Sequence, residues 1–459
     1  MFRTVGEKST ASRRVRADSR TDRRRYPSVL VGDVRLPSAV PSQKSRARVS
    51  SSRSSRVAQL KIDIPLLLVV ITLLIFGLIM VYSASYDYSL SWYGNATTIF
   101  TRQLIWLAFG ICVALVLAFL DYHYWQRFAI IAMAATIFLL LGVLLANEVI
   151  NSASRTIYRG SVQPSELAKV MTVIYLSVWL YAKQERLQDI SFGLIPLAAI
   201  LGFLGGLIVI QPDLSATVTI IFLGGLMFFL AGGDLRQIGI LLIVALVVGW
   251  AVVQISPTGS QRIADYIAGL KDPTEGSYHV RRAFEAFVKG GWFGVGLGKA
   301  ETKLTGLPVP PTDSIFAVVG EETGVFGALA LVGLYITLFW RGLTIARRAP
   351  DQLGALMAAG LSLWIAWEAF VNMAVMVSLL PFAGNALPLI SAGGSNLVVT
   401  MAAIGILMNI SRLSEKHKED NGRLFHAVVN LRGRDRRRSV SGAGRTASVK
   451  GRSTGQSQR

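Results

Sequence analysis

Cysteine is almost missing from this chain. Cys112 is the only one in 459 residues, and a disulfide framework is therefore excluded. Charge is scarce too. Only 16 % of residues are Asp, Glu, Lys or Arg, and 52 % are hydrophobic, with a mean hydropathy of +0.49. Soluble globular chains carry roughly a quarter charged residues, so the two or three soluble domains that the length would suggest are ruled out. Short alternating strands are lacking, which argues against a β-barrel. The start of the chain has no apolar run: about sixty polar residues precede the first one, a pattern unlike a secretory signal.

What charge there is lies in two places. The formal net charge is +20. Residues 1–60 account for +11 and residues 412–459 for +9, while 61–411 carry 19 basic and 19 acidic side chains and sum to zero. Basic tails can bind nucleic acid. Flanking an apolar centre, they fit better with setting membrane orientation and meeting anionic lipid, and no nucleic-acid partner is expected. The tails are rich in Ser and Arg, with runs at Arg23-Arg24-Arg25 and Arg436-Arg437-Arg438. They lack apolar periodicity and are expected to be disordered.

The centre holds ten apolar runs, near 64–82, 103–120, 126–146, 164–182, 190–210, 215–231, 236–255, 314–340, 353–377 and 388–411. A helix crosses the hydrocarbon with about 20 such residues. The fold class expected is an all-α polytopic membrane protein of about ten transmembrane helices. Its domains are a basic tail (1–60), a membrane domain (61–411) and a second basic tail (412–459). Arg127, Lys183, Arg186, Arg236, Arg341, Arg347 and Arg348 fall in alternate connections. This places both termini on the cytoplasmic side of the plasma membrane and makes 256–312, between helices 7 and 8, a long extracytoplasmic loop.

Connections this long are usually functional or disordered. This one is rich in aromatics and carries Gly290-Gly291-Trp292-Phe293-Gly294-Val295-Gly296-Leu297-Gly298. The glycines follow no strand and lack the Gly-Lys-Ser/Thr ending of a nucleotide loop, so close packing of small residues is the better reading. The loop ends Leu307-Pro308-Val309-Pro310-Pro311-Thr312-Asp313, and Thr312 or Asp313 would cap the helix that follows. The other reading of Asp313 is a carboxylate at the membrane's outer edge, facing a cavity.

Ionisable groups inside spans are costly and are usually paired or functional. Glu166 and Lys169 lie three apart, on one helix face, where they can pair. Gln211-Pro212-Asp213 breaks two runs, as a cavity-lining segment does. Glu321 and Glu322 fall in the eighth run, and Glu368 and Asn372 in the ninth. Ser391, Gly393, Gly394 and Ser395 open the tenth. Small residues there permit close helix approach, or else backbone N–H groups bind a phosphate.

Taken in order, these landmarks resemble the SEDS family (shape, elongation, division and sporulation), whose members include FtsW, RodA and SpoVE. The resemblance spans about 61–412. It rests on Met80-Val81-Tyr82-Ser83-Ala84-Ser85, Gln163 to Lys169, Gln211 to Leu214, Gly290 to Gly298, Lys303-Leu304, Thr312-Asp313, Gly320-Glu321-Glu322, and Ile390-Ser391 with Gly393-Gly394-Ser395. The ending of the first span and the long basic N-terminal tail are most like FtsW. The resemblance implies a peptidoglycan glycosyltransferase that polymerises lipid II, an undecaprenyl-diphosphate-linked disaccharide peptide, beside a class B penicillin-binding protein and other divisome proteins. It puts the family's essential aspartate on Asp313, as base or orienter of the acceptor hydroxyl. Arg155, Lys169, Arg262 and Lys303 are candidates for diphosphate or cavity contacts, and a divalent cation, Mg or Mn, is a possible cofactor. Glu166, Asp213, Ser391, Gly393, Gly394 and Ser395 complete the candidate substrate site.

The chain departs from the family pattern at several positions. Val309, Pro311 and Ser314 stand at the turn where the family usually has an acid, a histidine and a phenylalanine. Ala392 replaces a tyrosine, and His279 and Glu368 replace glutamines. Buried charges would also suit a lipid II flippase, and an elongation-type polymerase of the RodA kind is a further alternative. The elaborated loop and the carboxylate at its exit favour a polymerase.

Overall fold

The computed structural model describes residues 63–150, 163–272 and 274–440. The expected 1–60 tail lies outside them. Among the described residues twelve α-helices follow in order: α1 (Ile64–Tyr93), α2 (Thr98–Phe119), α3 (Trp125–Ile150), α4 (Pro164–Lys183), α5 (Ile195–Ile210), α6 (Leu214–Leu230), α7 (Leu235–Ile255), α8 (Pro257–Lys271), α9 (Tyr278–Gly290), α10 (Ile315–Arg348), α11 (Gln352–Met376) and α12 (Gly394–Val440). No strand occurs among the described residues.

Short polar residues start the helices. Asp63, Asp213, Asp234, Ser256, Ser277 and Asp351 each accept a bond from a first-turn N–H. This satisfies a donor that the helix itself cannot. Eight helices among the described residues are long and apolar enough to cross a membrane. The segments expected as the fourth and sixth spans are present as α4 and α6 but fall short of that measure. α4 carries Glu166, Lys169 and Lys183 within 20 residues, and α6 has only 17.

α4 lies inside the bundle, packed by α3, α6, α11 and α12. α1 packs on α10, and α2 on α12. At one end of the bundle, Arg341 near the end of α10 donates to both oxygens of Asp63, at 2.8 and 2.7 Å. The opposite end carries α8, α9 and the turn before α10, and is called the loop end below. The 256–312 connection is thus not irregular throughout: α8 and α9 fill half of it. α12 runs on to Val440, past residue 412 where the disordered tail is expected. The segment 412–440 contains no proline to stop it.

The glycine cluster packs on a break in α10. At Gly324 the helix leaves helical geometry, with φ 69° and ψ −170°. The N–H groups of Val325 and Phe326 donate to Gly291 and Trp292 carbonyls, at 3.0 and 3.3 Å. The N–H groups of Val295 and Gly296 donate back to Glu321 and Glu322 carbonyls, at 3.0 and 3.1 Å. The two segments therefore satisfy each other's free backbone groups, which buried backbone requires. A Cβ on Gly324 would stand 2.5 Å from the Gly294 nitrogen, and one on Gly294 2.3 Å from the Glu322 carbonyl oxygen. Gly324→Ala adds left-handed strain to that clash and is expected to cost at least about 2 kcal/mol. A lowered melting temperature of the detergent-solubilised protein would report it.

Candidate functional site

Asp313 sits at the loop end, half-buried, one residue before the N-cap of α10. The capping role considered for it and for Thr312 falls to Ser314, whose side chain makes no cap bond. The turn is held through its main chain. Ser391 Oγ donates to the Thr312 carbonyl at 2.7 Å, and the Ala392 N–H donates to Pro311 at 2.8 Å. Asn372 Nδ2 donates to the Asp313 carbonyl at 3.0 Å. A Cβ at residue 384 would stand 2.9 Å from Asp313 Oδ2 and would push that carboxylate aside.

Beneath this turn lies a buried ionic cluster. Lys169 Nζ is 2.9 Å from Glu166 Oε1 and 2.9 Å from Glu368 Oε1. The three residues are 2 %, 6 % and 0 % exposed. Asn396 donates to Glu166 Oε2 at 3.0 Å, and Asn385 to Glu368 Oε2 at 3.3 Å. These bonds satisfy the remaining carboxylate oxygens, which a buried ion pair needs to hold together. Asp213 caps α6 and also accepts from Ser165 Oγ at 2.9 Å and Gln163 Nε2 at 3.1 Å. The Gln163 N–H donates to Ser395 Oγ at 3.1 Å.

Several candidate residues take other roles than expected. The Gly393 N–H, considered as a phosphate donor at the start of the last helix, is bound by Gln103 Oε1 at 3.2 Å. Gly394 is simply the first residue of α12. The Lys303 ammonium is bound by Glu322 Oε1 at 2.9 Å, Ser83 Oγ at 2.9 Å and the Gly298 carbonyl at 3.1 Å. None of these partners belongs to the Asp313 turn; Lys303 joins α1, α10 and the glycine segment. Arg155 lies outside the described residues. Ser391 and Asp313 are brought together, as are Glu166 and Lys169. Asn385, Asn396, Gln103 and Gly384 escaped the sequence reading. Gln103, at the start of the second apolar run, and Asn396, inside the tenth, had a signal as polar side chains among apolar ones.

Arg262 reaches the same end. Its guanidinium lies 5.5 Å over the Phe382 ring, and His279 stacks on that ring at 4.0 Å. Phe382 is two residues from Gly384. Burial first, and then the Arg262 charge, push His279 from its ordinary 6.5 down to about 4. The imidazole is therefore neutral at physiological pH. Unfolded chain takes up this proton first, so stability is full above about pH 6.5 and is lost as pH falls towards 4. His279→Gln is expected to flatten melting temperature against pH in that window.

An apolar cavity of about 480 Å³ lies between α9, α10 and α11, lined by Phe287, Phe316, Val325, Phe370 and Met373 among others. Among the described residues no three His, Cys, Asp or Glu side chains are grouped to hold a metal ion.

Fold and site together define a polytopic helical membrane protein with a carboxylate turn at one end, set over a buried ionic cluster. Residues 64–416 match the model of the FtsW/RodA/SpoVE cell cycle proteins, and the chain belongs to that family. It is 37 % identical over 354 residues to a probable peptidoglycan glycosyltransferase FtsW of Trichlorobacter lovleyi, which covers 76 % of this chain and 93 % of the relative. The protein of the same name from Legionella pneumophila is 36 % identical over 346 residues, covering 74 % and 88 %. The fold is similar to a chain in a solved peptidoglycan synthase complex (TM-score 0.60, 24 % identity, 77 % of this chain and 98 % of that one). It is also similar to the rod shape determining protein RodA of Thermus thermophilus (TM-score 0.52, 24 % identity, with the same coverage).

Proposed function

We propose that this chain is a peptidoglycan glycosyltransferase that polymerises lipid II into glycan strands, for septal wall synthesis in cell division. The observation that carries the reading is the Asp313 turn: a half-buried carboxylate, held through its main chain by Asn372 and Ser391, beside Gly384 at the loop end. In this reading the loop end faces outward, and both termini are cytoplasmic. Asp313 accepts the proton of the acceptor sugar's 4-hydroxyl as that oxygen attacks C1 of the donor sugar. The C1–O bond to the diphosphate breaks, and undecaprenyl diphosphate leaves with the electron pair. The carboxylate needs position rather than unusual basicity, since the hydroxyl sheds its proton only as the new bond forms.

Cations would stabilise the departing diphosphate. Arg262, whose guanidinium lies over Phe382 two residues from Gly384, and Arg155 are the candidates for this role. The apolar cavity opens beside Phe316, three residues from Asp313, and suits a substrate borne on a lipid chain. The partner in this reading is a class B penicillin-binding protein that crosslinks the strands, alongside other divisome proteins.

Flipping of lipid II is the competing reading, with the buried charges as its path. Glu166, Lys169 and Glu368 are almost wholly enclosed and bonded to one another, which favours a structural part for them. The test is to purify the chain with its cognate penicillin-binding protein and add lipid II in detergent. Glycan polymer on a gel is the expected result. No polymer from the native pair, together with lipid II flipping in vesicles, would overturn the proposal.

A further inference from the structure

The ionic cluster inside the bundle connects to the Asp313 turn through a series of bonds. Lys169 Nζ holds Glu368 Oε1 at 2.9 Å, and Glu368 Oε2 accepts from Asn385 Nδ2 at 3.3 Å. The Asn385 carbonyl accepts from Asn372 Nδ2 at 2.6 Å, and the same nitrogen donates to the Asp313 carbonyl at 3.0 Å. Glu368, Asn372 and Asn385 are each no more than 4 % exposed. One amide nitrogen therefore spans the two chain segments that meet at the site: the turn before α10 and the connection that carries Gly384.

The orientation of that amide is informative. Asn372 Oδ1 is buried and finds no hydrogen-bond partner among the described residues. An orphaned buried acceptor is unfavourable. Turning the amide over would be worse, because the oxygen would then face two carbonyl oxygens and both donor bonds would be lost. The side chain is oriented for its two N–H bonds at the expense of its acceptor. Glu368 acts on the same joint from the other side. Its carboxylate can only accept, so it orients the Asn385 amide nitrogen toward itself, and Lys169 anchors the carboxylate in turn.

We propose that Asn372 and Glu368 are positioning residues for glycosyl transfer: Glu368 holds Asn385, and Asn372 ties the Asn385 and Asp313 main chains together, setting where the Asp313 carboxylate stands. This rests on the reading of Asp313 as the reacting carboxylate. Neither residue touches substrate in this scheme. Both work through the placement of Asp313 against Gly384, where a small displacement takes the carboxylate out of line with the acceptor hydroxyl.

The test uses the full chain with its penicillin-binding partner and a lipid II titration. Asn372→Ala and Asn385→Ala are each expected to lower kcat by about 10- to 100-fold, because displacements near 1 Å carry losses of that order. KM should stay within about twofold, since the displaced group is not a binding contact. The links are in series, so the double variant should be no slower than the worse single one. Asn372→Gln, which keeps the donor, should recover part of the rate. Hydrogen exchange of backbone amides over 309–318 supplies a readout independent of activity and should quicken in Asn372→Ala while the rest of the bundle is unchanged. Wild-type kcat in both variants, or losses that multiply in the double variant, would overturn the proposal. So would wild-type exchange over 309–318. If Asn372→Ala fails to fold, Asn385→Ala, a loop position, decides by the same measurements. If the native pair makes no polymer, it is the polymerase reading that fails, and the exchange result still decides whether Asn372 holds the turn.

Discussion

Asp313→Ala is expected to reduce lipid II polymerisation by at least about 100-fold, the usual contribution of a positioned general base. The main-chain bonds that hold the turn should survive the change. The turn is held by bonds to the carbonyls of Pro311, Thr312 and Asp313, none of which uses the carboxylate. Asp313→Asn keeps the shape, removes the proton acceptor, and should be as inactive. Asp313→Glu should not rescue, because Oδ2 already lies against Gly384 and a longer side chain carries the carboxylate past the hydroxyl. The measurement is polymer formed per unit time with the penicillin-binding partner present. Polymer at the wild-type rate from Asp313→Ala would end the mechanism proposed for this site.

Lys169→Met is expected to be the most destabilising single change in the bundle. It leaves Glu166 and Glu368 facing each other in an interior that excludes water, and breaking a buried pair in this way costs about 3–5 kcal/mol. The folded fraction recovered in detergent and the melting temperature should both fall sharply. Adding Glu166→Gln and Glu368→Gln should recover most of the loss, since removing the whole cluster leaves no unpaired charge. If Lys169→Met alone melts like the wild type, the triad is not the clamp described here. Any loss of polymerisation in Lys169→Met follows from the same displacement, because Glu368 also holds Asn385.

How much of this was visible beforehand differs from residue to residue. The pairing of Lys169 with Glu166 follows from a spacing of three on one helix, which local geometry converts directly into contact. Its second partner, Glu368, lies 199 positions away, and no periodicity joins them. Lys303 has a positive charge at the site's end of the chain, and a sequence reading sends it toward a diphosphate. The fold sends it to Glu322 instead, two residues before the break in α10. That break was itself hidden: Gly324 sits within the eighth predicted span, which reads as one continuous helix, and only docking of the Gly290–Gly298 segment shows why it departs from helical geometry.

Composition and pattern alone determined that this is a helical membrane protein with basic ends and a neutral centre. Long apolar runs can cross a bilayer only as helices that satisfy their own backbone. Local motifs also singled out Asp313 and the Glu166–Lys169 pair. The tertiary structure decided which charges neutralise one another, which polar groups hold the Asp313 turn, and that the glycine segment closes a gap in α10. The reason is physical: pairing and burial depend on contacts between segments far apart in the chain, and the cost of an unpaired charge or backbone group in a water-free interior selects those contacts only once the helices have packed.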